Sequence, residues 1–269
     1  MNKVLLSFII LESFCTYGQS SDSLKAYEKD YYAQKAESHI FVNENNEKLP
    51  YRLFLPENYN QNIKYPLILS FHGAGERGDD NLKQLEPWVA AWIDGKVQKE
   101  NPCIIIMPQC PQDMQWVNVP WSKGSYSISE VPATQPMKLV KELFDQVLGE
   151  YAIDKNRIYV MGVSMGGYAT WNFVLNYPDI PAAAIPVCGA GDPSLAYKIA
   201  SIPIWAFHGD RDEVVPLSGT TDMIDKLKQM GNNQIRLTIF ENVGHEAYDM
   251  AWKNSELVSW VFKQNKLKR

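Results

Sequence analysis

Continuous apolar runs constrain this chain more than any other feature. Tyr65–Phe71, Ile104–Met107, Arg157–Val163, Ala182–Val187 and Ile202–Phe207 read as strands with almost no polar alternation. A strand with one wet face alternates apolar and polar residues, so strands like these must be covered on both sides. Segments of helical period lie between them: Leu82–Ile93, Pro136–Tyr151, Gly167–Asn176, Leu217–Met230 and Trp252–Lys266. In Pro136–Tyr151 the residues Leu139, Val140, Leu143, Phe144 and Val147 share one face, and Gly231 closes Leu217–Met230. Strands alternating with amphipathic helices predict an α/β fold, a mostly parallel central sheet with helices on both faces. Ile235–Phe240 is a further strand. His39–Val42 and Pro50–Leu55 are extra N-terminal strands joined by the turn Asn43–Lys48, and residues 22–38 form a helical or loose lead-in. Residues 109–135, rich in Pro, Ser and Trp, read as one long loop.

With 269 residues, 45% hydrophobic and 21% charged, the chain can bury a sizeable core, which excludes disordered, collagenous, coiled-coil and polytopic membrane classes. The net charge of −5 and the scattered cations make nucleic acid an unexpected partner. The basic end Lys263–Arg269 reads as the last turn of a helix. At the N-terminus Lys3, the apolar run Val4–Leu11 and Thr16-Tyr17-Gly18 have the order of a signal peptide. The expectation is a signal over residues 1–18, cleavage near Gly18–Gln19, and a single domain over 19–269 that is secreted or periplasmic. The apolar run is shorter than the ~20 residues of a bilayer span, so no stable membrane insertion is expected. Lipoprotein anchoring at Cys15 is the alternative, with bulky Phe14 against it. Export leaves Cys103, Cys110 and Cys188, an odd number. Cys103 and Cys110 flank an extended run and stand too far apart to bridge. No Cys or His cluster has metal-ligand spacing.

The chemistry centres on Gly162-Val163-Ser164-Met165-Gly166, a G-x-S-x-G between a strand and a helix. Such a turn lifts a serine hydroxyl off the sheet edge, and the flanking glycines let backbone segments pass closely. A serine needs a base, and the base needs an orienting carboxylate. In this context the chain order is Ser, acid, His. Of His39, His72, His208 and His245, only His245 fits that order. Asp212, in the loop after Ile202–Phe207, is the leading acid, with Asp210, Glu213 and Asp192 as rivals. An attacked carbonyl becomes an oxyanion and needs backbone N–H donors, for which Met165 and Ala74, within His72-Gly73-Ala74-Gly75, are candidates. His72 then holds that loop. Glu76, Arg77, Asp79 and Asp80 read as charges that fix it.

These residues resemble the α/β-hydrolase superfamily over roughly residues 39–266. The segment His72–Gly78, the run Pro108-Gln109-Cys110-Pro111 and Gly166–Trp171 are similar to secreted bacterial feruloyl and acetyl-xylan esterases and to the dienelactone-hydrolase-like group. The strands before Tyr65 also resemble extra strands of that group. Dienelactone hydrolases use a Cys nucleophile, and Ser164 departs from them. The resemblance implies carboxylic-ester hydrolysis by Ser164, Asp212 and His245, with Ala74 and Met165 as oxyanion donors and no cofactor. The expected partner is a small-molecule or polysaccharide-linked ester, and Trp116, Trp121 and Trp171 are the candidate substrate-binding rings. Two rival readings are a general short-chain carboxylesterase or lipolytic enzyme, and an inactive hydrolase fold that binds glycans.

Overall fold

The computed structural model describes residues 30–268. The expected signal over 1–18 and Cys15 lie outside the described residues. The strands are β1 (Ala36–Val42), β2 (Lys48–Phe54), β3 (Tyr65–Phe71), β4 (Ile104–Pro108), β5 (Ile153–Val163), β6 (Ala183–Val187), β7 (Ile204–Gly209) and β8 (Ile235–Phe240). They form one sheet in the order β1-β2-β4-β3-β5-β6-β7-β8. From β4 to β8 along the sheet every pairing is parallel. The extra strands β1 and β2 join antiparallel at one side.

Parallel neighbours require crossovers, and helices supply most of them. Residues 30–35 are helical (α1). The others are α2 (Pro87–Ile93), α3 (Gly95–Glu100), α4 (Gln135–Glu150), α5 (Met165–Asn176), α6 (Ser218–Gln229), α7 (Ala247–Ala251) and α8 (Leu257–Lys263). Successive strand residues point to opposite faces. Thus Leu67, Leu69 and Phe71 of β3 belong to one core cluster with residues of α4, α5 and α6, while Ile68 belongs to another with residues of α2, α7 and α8. Burial on both faces is why these strands lack polar alternation.

Three expected elements differ. The helix expected over 82–93 begins only at Pro87, whose ring disfavours helix in the residue before it. The stretch before it is a tether: Asp80 Oδ1 accepts from the Leu82 and Lys83 N–H groups. Asn81, at φ 52°, donates to Ser38 Oγ and to the His39 and Tyr51 carbonyls of β1 and β2. Of the helix expected over 252–266 only Leu257–Lys263 (α8) forms; α7 ends at Ala251, before the expected start, and Asn254 Oδ1 accepts from Glu256 N–H between the two. The basic end is not one helical turn either: α8 stops at Lys263, Gln264 is extended, and Lys266–Lys268 is a separate turn. Cys103, Cys110 and Cys188 are free and buried.

Candidate active site

The loops that carry the candidate residues leave the same edge of the sheet. His72–Gly75 follow β3, Ser164 follows β5, Asp212 follows β7 and His245 follows β8. Strands β3, β5, β7 and β8 run parallel, so their C-terminal ends open onto one crevice, the usual ligand position in such sheets. Four segments distant in sequence are thereby brought together.

Ser164 sits at φ 56° and ψ −118°, a strained backbone for a residue with a Cβ. Its N–H donates to Val187 O at 2.9 Å, which pins the turn to β6. The flanking glycines are dictated by packing. A Cβ on Gly166 would sit inside the Phe71 carbonyl, and one on Gly162 inside the Gly166 carbonyl.

His245 Nε2 lies 2.7 Å from Ser164 Oγ, and His245 Nδ1 lies 2.7 Å from Asp212 Oδ2. An ionised carboxylate only accepts, so Nδ1 carries the proton and Nε2 is left to accept from the serine hydroxyl. The Asp212 side chain is fully buried. Its Oδ1 accepts from the Val214 and Val215 N–H groups at 2.9 and 2.8 Å. Burial pushes its carboxyl up, but hydrogen bonds from His208, His245 and Val215 N–H outweigh that and hold it well below the usual carboxylate range. Its rivals do other work. Asp210 accepts from Val243 N–H, and Asp192 caps the turn at Ser194 and accepts from Ile128 N–H.

Ala74 and Met165 are the first residues of a 3₁₀ turn and of α5, so their N–H groups have no intrahelical partner. Both stand beside Ser164: Met165 follows it, and Ala74 borders the same cleft. His72 holds this loop from beneath. Its Nε2 accepts from Cys110 N–H at 2.9 Å, so Nδ1 donates to Gly73 O at 2.6 Å. Burial lowers the His72 imidazole to about 4, so it is a neutral strut. Arg77 Nε donates to Ala74 O, and Asp80 accepts from Gln109, so charges of this segment do fix the loop.

Ser164 and His245 open onto a cleft of about 640 Å³, walled by Leu85, Trp88, Trp121, Val163, Val214 and Tyr248. Glu76, Glu86 and Asp249 also border it. Of the three candidate rings only Trp121 lines this cleft. Trp116 and Trp171 correct the expectation, since both are fully buried in the core. Trp116 packs edge-on against Phe71 and donates Nε1–H to His72 O, so it braces the loop that follows β3. Trp171 lies on α5 with no exposed surface. An indole is the largest apolar body a helix can offer, and the core took it. Trp88, read only as part of an amphipathic face, is the wall that sequence reasoning missed. No periodicity separates a core tryptophan from one at a cleft.

Among the described residues, one group has metal-capable atoms close together: Cys188, Asp212 and His245, all within 4.8 Å of one another. Those atoms are already engaged with each other. Cys188 Sγ–H faces His245 O at 3.7 Å, and burial, then the Asp212 charge, push its thiol up. The arrangement is suited to proton transfer: a hydroxyl, an imidazole and a buried carboxylate in line, beside two free N–H groups.

A mostly parallel sheet with a serine on a strand-to-helix turn and a His–Asp pair at the same edge defines an α/β-hydrolase. Within that class the chain belongs to the Esterase family, whose sequence model, described as "Putative esterase", matches residues 43–268. It is 26% identical over 163 residues to the bifunctional acetylxylan esterase/xylanase XynS20E of Neocallimastix patriciarum, covering 61% of this chain and 21% of that protein. It is 21% identical over 192 residues to "Probable feruloyl esterase C" of Aspergillus niger, covering 68% of this chain and 61% of that one. The solved structure of a thermostable esterase superposes with a TM-score of 0.79 at 34% identity, covering 86% of this chain and 64% of the other. The chain thus spans less than two thirds of each of these proteins.

Proposed function

We propose that the protein is an exported serine carboxylesterase that removes acyl groups, feruloyl or acetyl, from plant polysaccharides. The observation that carries the reading is the pair of 2.7 Å contacts made by His245, one to Ser164 Oγ and one to Asp212 Oδ2. Ser164 Oγ attacks the ester carbonyl as its proton passes to His245 Nε2. The carbonyl oxygen gains negative charge between the Ala74 and Met165 N–H groups. Asp212 keeps the imidazole in the right tautomer and stabilises its cation. Collapse expels the alcohol, which takes the proton from Nε2 and leaves an acyl-serine. Water, deprotonated by the same nitrogen, then releases the acid.

The cleft supports an acyl group larger than acetyl, since about 640 Å³ is in the range of drug-sized ligands. The flat walls Trp88 and Trp121 suit an aromatic acid or a sugar ring. The names of the relatives point the same way, and the signal-like order of residues 1–18 supports export. The test is a panel of methyl ferulate, acetylated xylan and p-nitrophenyl esters of increasing chain length, with fluorophosphonate labelling. Ser164→Ala should leave the melting temperature unchanged, abolish labelling and cut turnover by ~10⁴ or more. Labelling or turnover that survives in this variant refutes the reading, and preference for long acyl chains redirects it to a lipolytic enzyme.

A further inference from the structure

Asp212 serves two histidines. His245 Nδ1 approaches Oδ2 from the cleft at 2.7 Å, and His208 Nε2 approaches the same oxygen from the core at 3.3 Å. The proposed esterase chemistry uses only the first. His208 has no exposed surface. Its Nε2 also lies 2.9 Å from Val215 O, in the residue whose N–H binds Asp212 Oδ1. On its far side Nδ1 lies 2.8 Å from Thr220 Oγ1 of α6, a hydroxyl itself 2.9 Å from Gly189 O.

Proton accounting fixes the roles. Both neighbours of Nε2, a carboxylate and a carbonyl, only accept, so Nε2 must carry a proton. The single Thr220 proton can serve either Nδ1 or Gly189 O, and the proton at Nε2 is required in both cases. We propose that His208 is a positioning residue: its Nε2–H, hydrogen-bonded to Val215 O, also faces Asp212 Oδ2 at 3.3 Å, so the charge of that oxygen is divided between two imidazoles. This inference rests on the functional reading above.

Two consequences follow from the geometry. The carboxylate is fixed on both oxygens, by two backbone N–H groups at Oδ1 and two imidazoles at Oδ2, so it cannot rotate away from His245. Its charge is also shared, so it stabilises a proton on His245 less than a bare carboxylate would. Loss of the His208 donor concentrates the charge on His245, which then takes up its proton at higher pH.

Other ionisable groups surround this network. The Cys188 thiol lies after β6 and Tyr168 comes from α5; burial and the Asp212 charge push both up, so both stay protonated. Tyr248 of α7 packs edge-on against the His245 ring. Glu76, Glu86 and Asp249 border the cleft, and Asp210, Arg211 and Glu246 belong to the adjoining loops. All of these remain in wild type and variants alike, so differences between variants at 208 report His208 itself.

The test compares His208→Gln with His208→Asn in the full chain, following kcat/KM against pH with p-nitrophenyl acetate. The Gln amide can place an N–H where Nε2 was. The shorter Asn retains a partner for Thr220 but cannot reach Asp212. The acid limb should move up by about 0.5–1 pH unit in His208→Asn and stay at the wild-type position in His208→Gln. Equal midpoints in wild type and both variants, whatever their loss of stability, overturn the proposal. Nitrogen-15 NMR of the histidines in the unmutated protein covers the case in which a variant does not fold. It should find a proton on His208 Nε2 at neutral pH, with a resonance that moves in Asp212→Asn. An unprotonated Nε2 overturns the proposal. A wild type without ester hydrolysis defeats the functional reading and this one with it, whereas an active wild type with matching midpoints defeats this one alone.

Discussion

His72 gives the sharpest test of the forces that hold the site together. It is buried, with Nε2 accepting from Cys110 N–H and Nδ1 donating to Gly73 O. Protonation would set two N–H groups against each other at Cys110, at a buried position. Burial is the main reason its imidazole falls from 6.5 to about 4. Between those values the unfolded chain binds a proton that the folded chain refuses, so stability falls as pH falls. The His72 contribution is complete above pH 6.5 and is lost on the way down to about pH 4. From about pH 7.5 to about pH 4.5 the loss integrates to roughly 2–3 kcal/mol. Urea unfolding of wild type and His72→Gln across that range isolates it, because paired carboxylates such as Asp212 and Asp80 titrate in both proteins. His72→Gln should be weaker at neutral pH by about 1–3 kcal/mol, from the unmet Gly73 carbonyl. The gap between the two proteins should close by roughly 2–3 kcal/mol in acid. Parallel curves would mean that His72 protonates at no cost, and the account of this loop would be wrong.

Three further outcomes are expected. Gly166→Ala should fail to fold or lose several kcal/mol, about 4 or more, because its Cβ meets the Phe71 carbonyl; a normal melting temperature contradicts that packing. Trp171→Ala should cost about 3–5 kcal/mol of stability, whereas Trp121→Ala should raise KM for methyl ferulate more than for p-nitrophenyl acetate; the reverse pattern would restore Trp171 to the cleft. Ester hydrolysis should decline in acid as His245 takes a proton on Nε2, and a profile flat down to about pH 5 would exclude it as the base.

By itself the sequence determined the class of fold and named the residues of the candidate site. Strands without polar alternation require cover on both faces, and the residues of the G-x-S-x-G turn are local, so both features survive translation into one dimension. The order of Ser164 before His245 was legible because only four histidines exist. Asp212 could be named but not separated from Asp210 by spacing alone. Their side chains diverge because Val215 is buried and anchors the loop, while its N–H and that of Val214 hold the Asp212 carboxylate.

What the tertiary structure alone decided is which side chains face the cleft and which the core. Trp116, Trp121 and Trp171 are chemically identical, and only the crossing of α5, the loop before α4 and the sheet edge sorts them. The second histidine on Asp212 belongs to the same category. His208 lies four residues before its partner, yet what joins them is the turn at Val215 and the Thr220 hydroxyl arriving from α6. Apolar pattern and motif are properties of neighbours along the chain, whereas burial and hydrogen-bond partnership are set by segments that meet only once the sheet has closed.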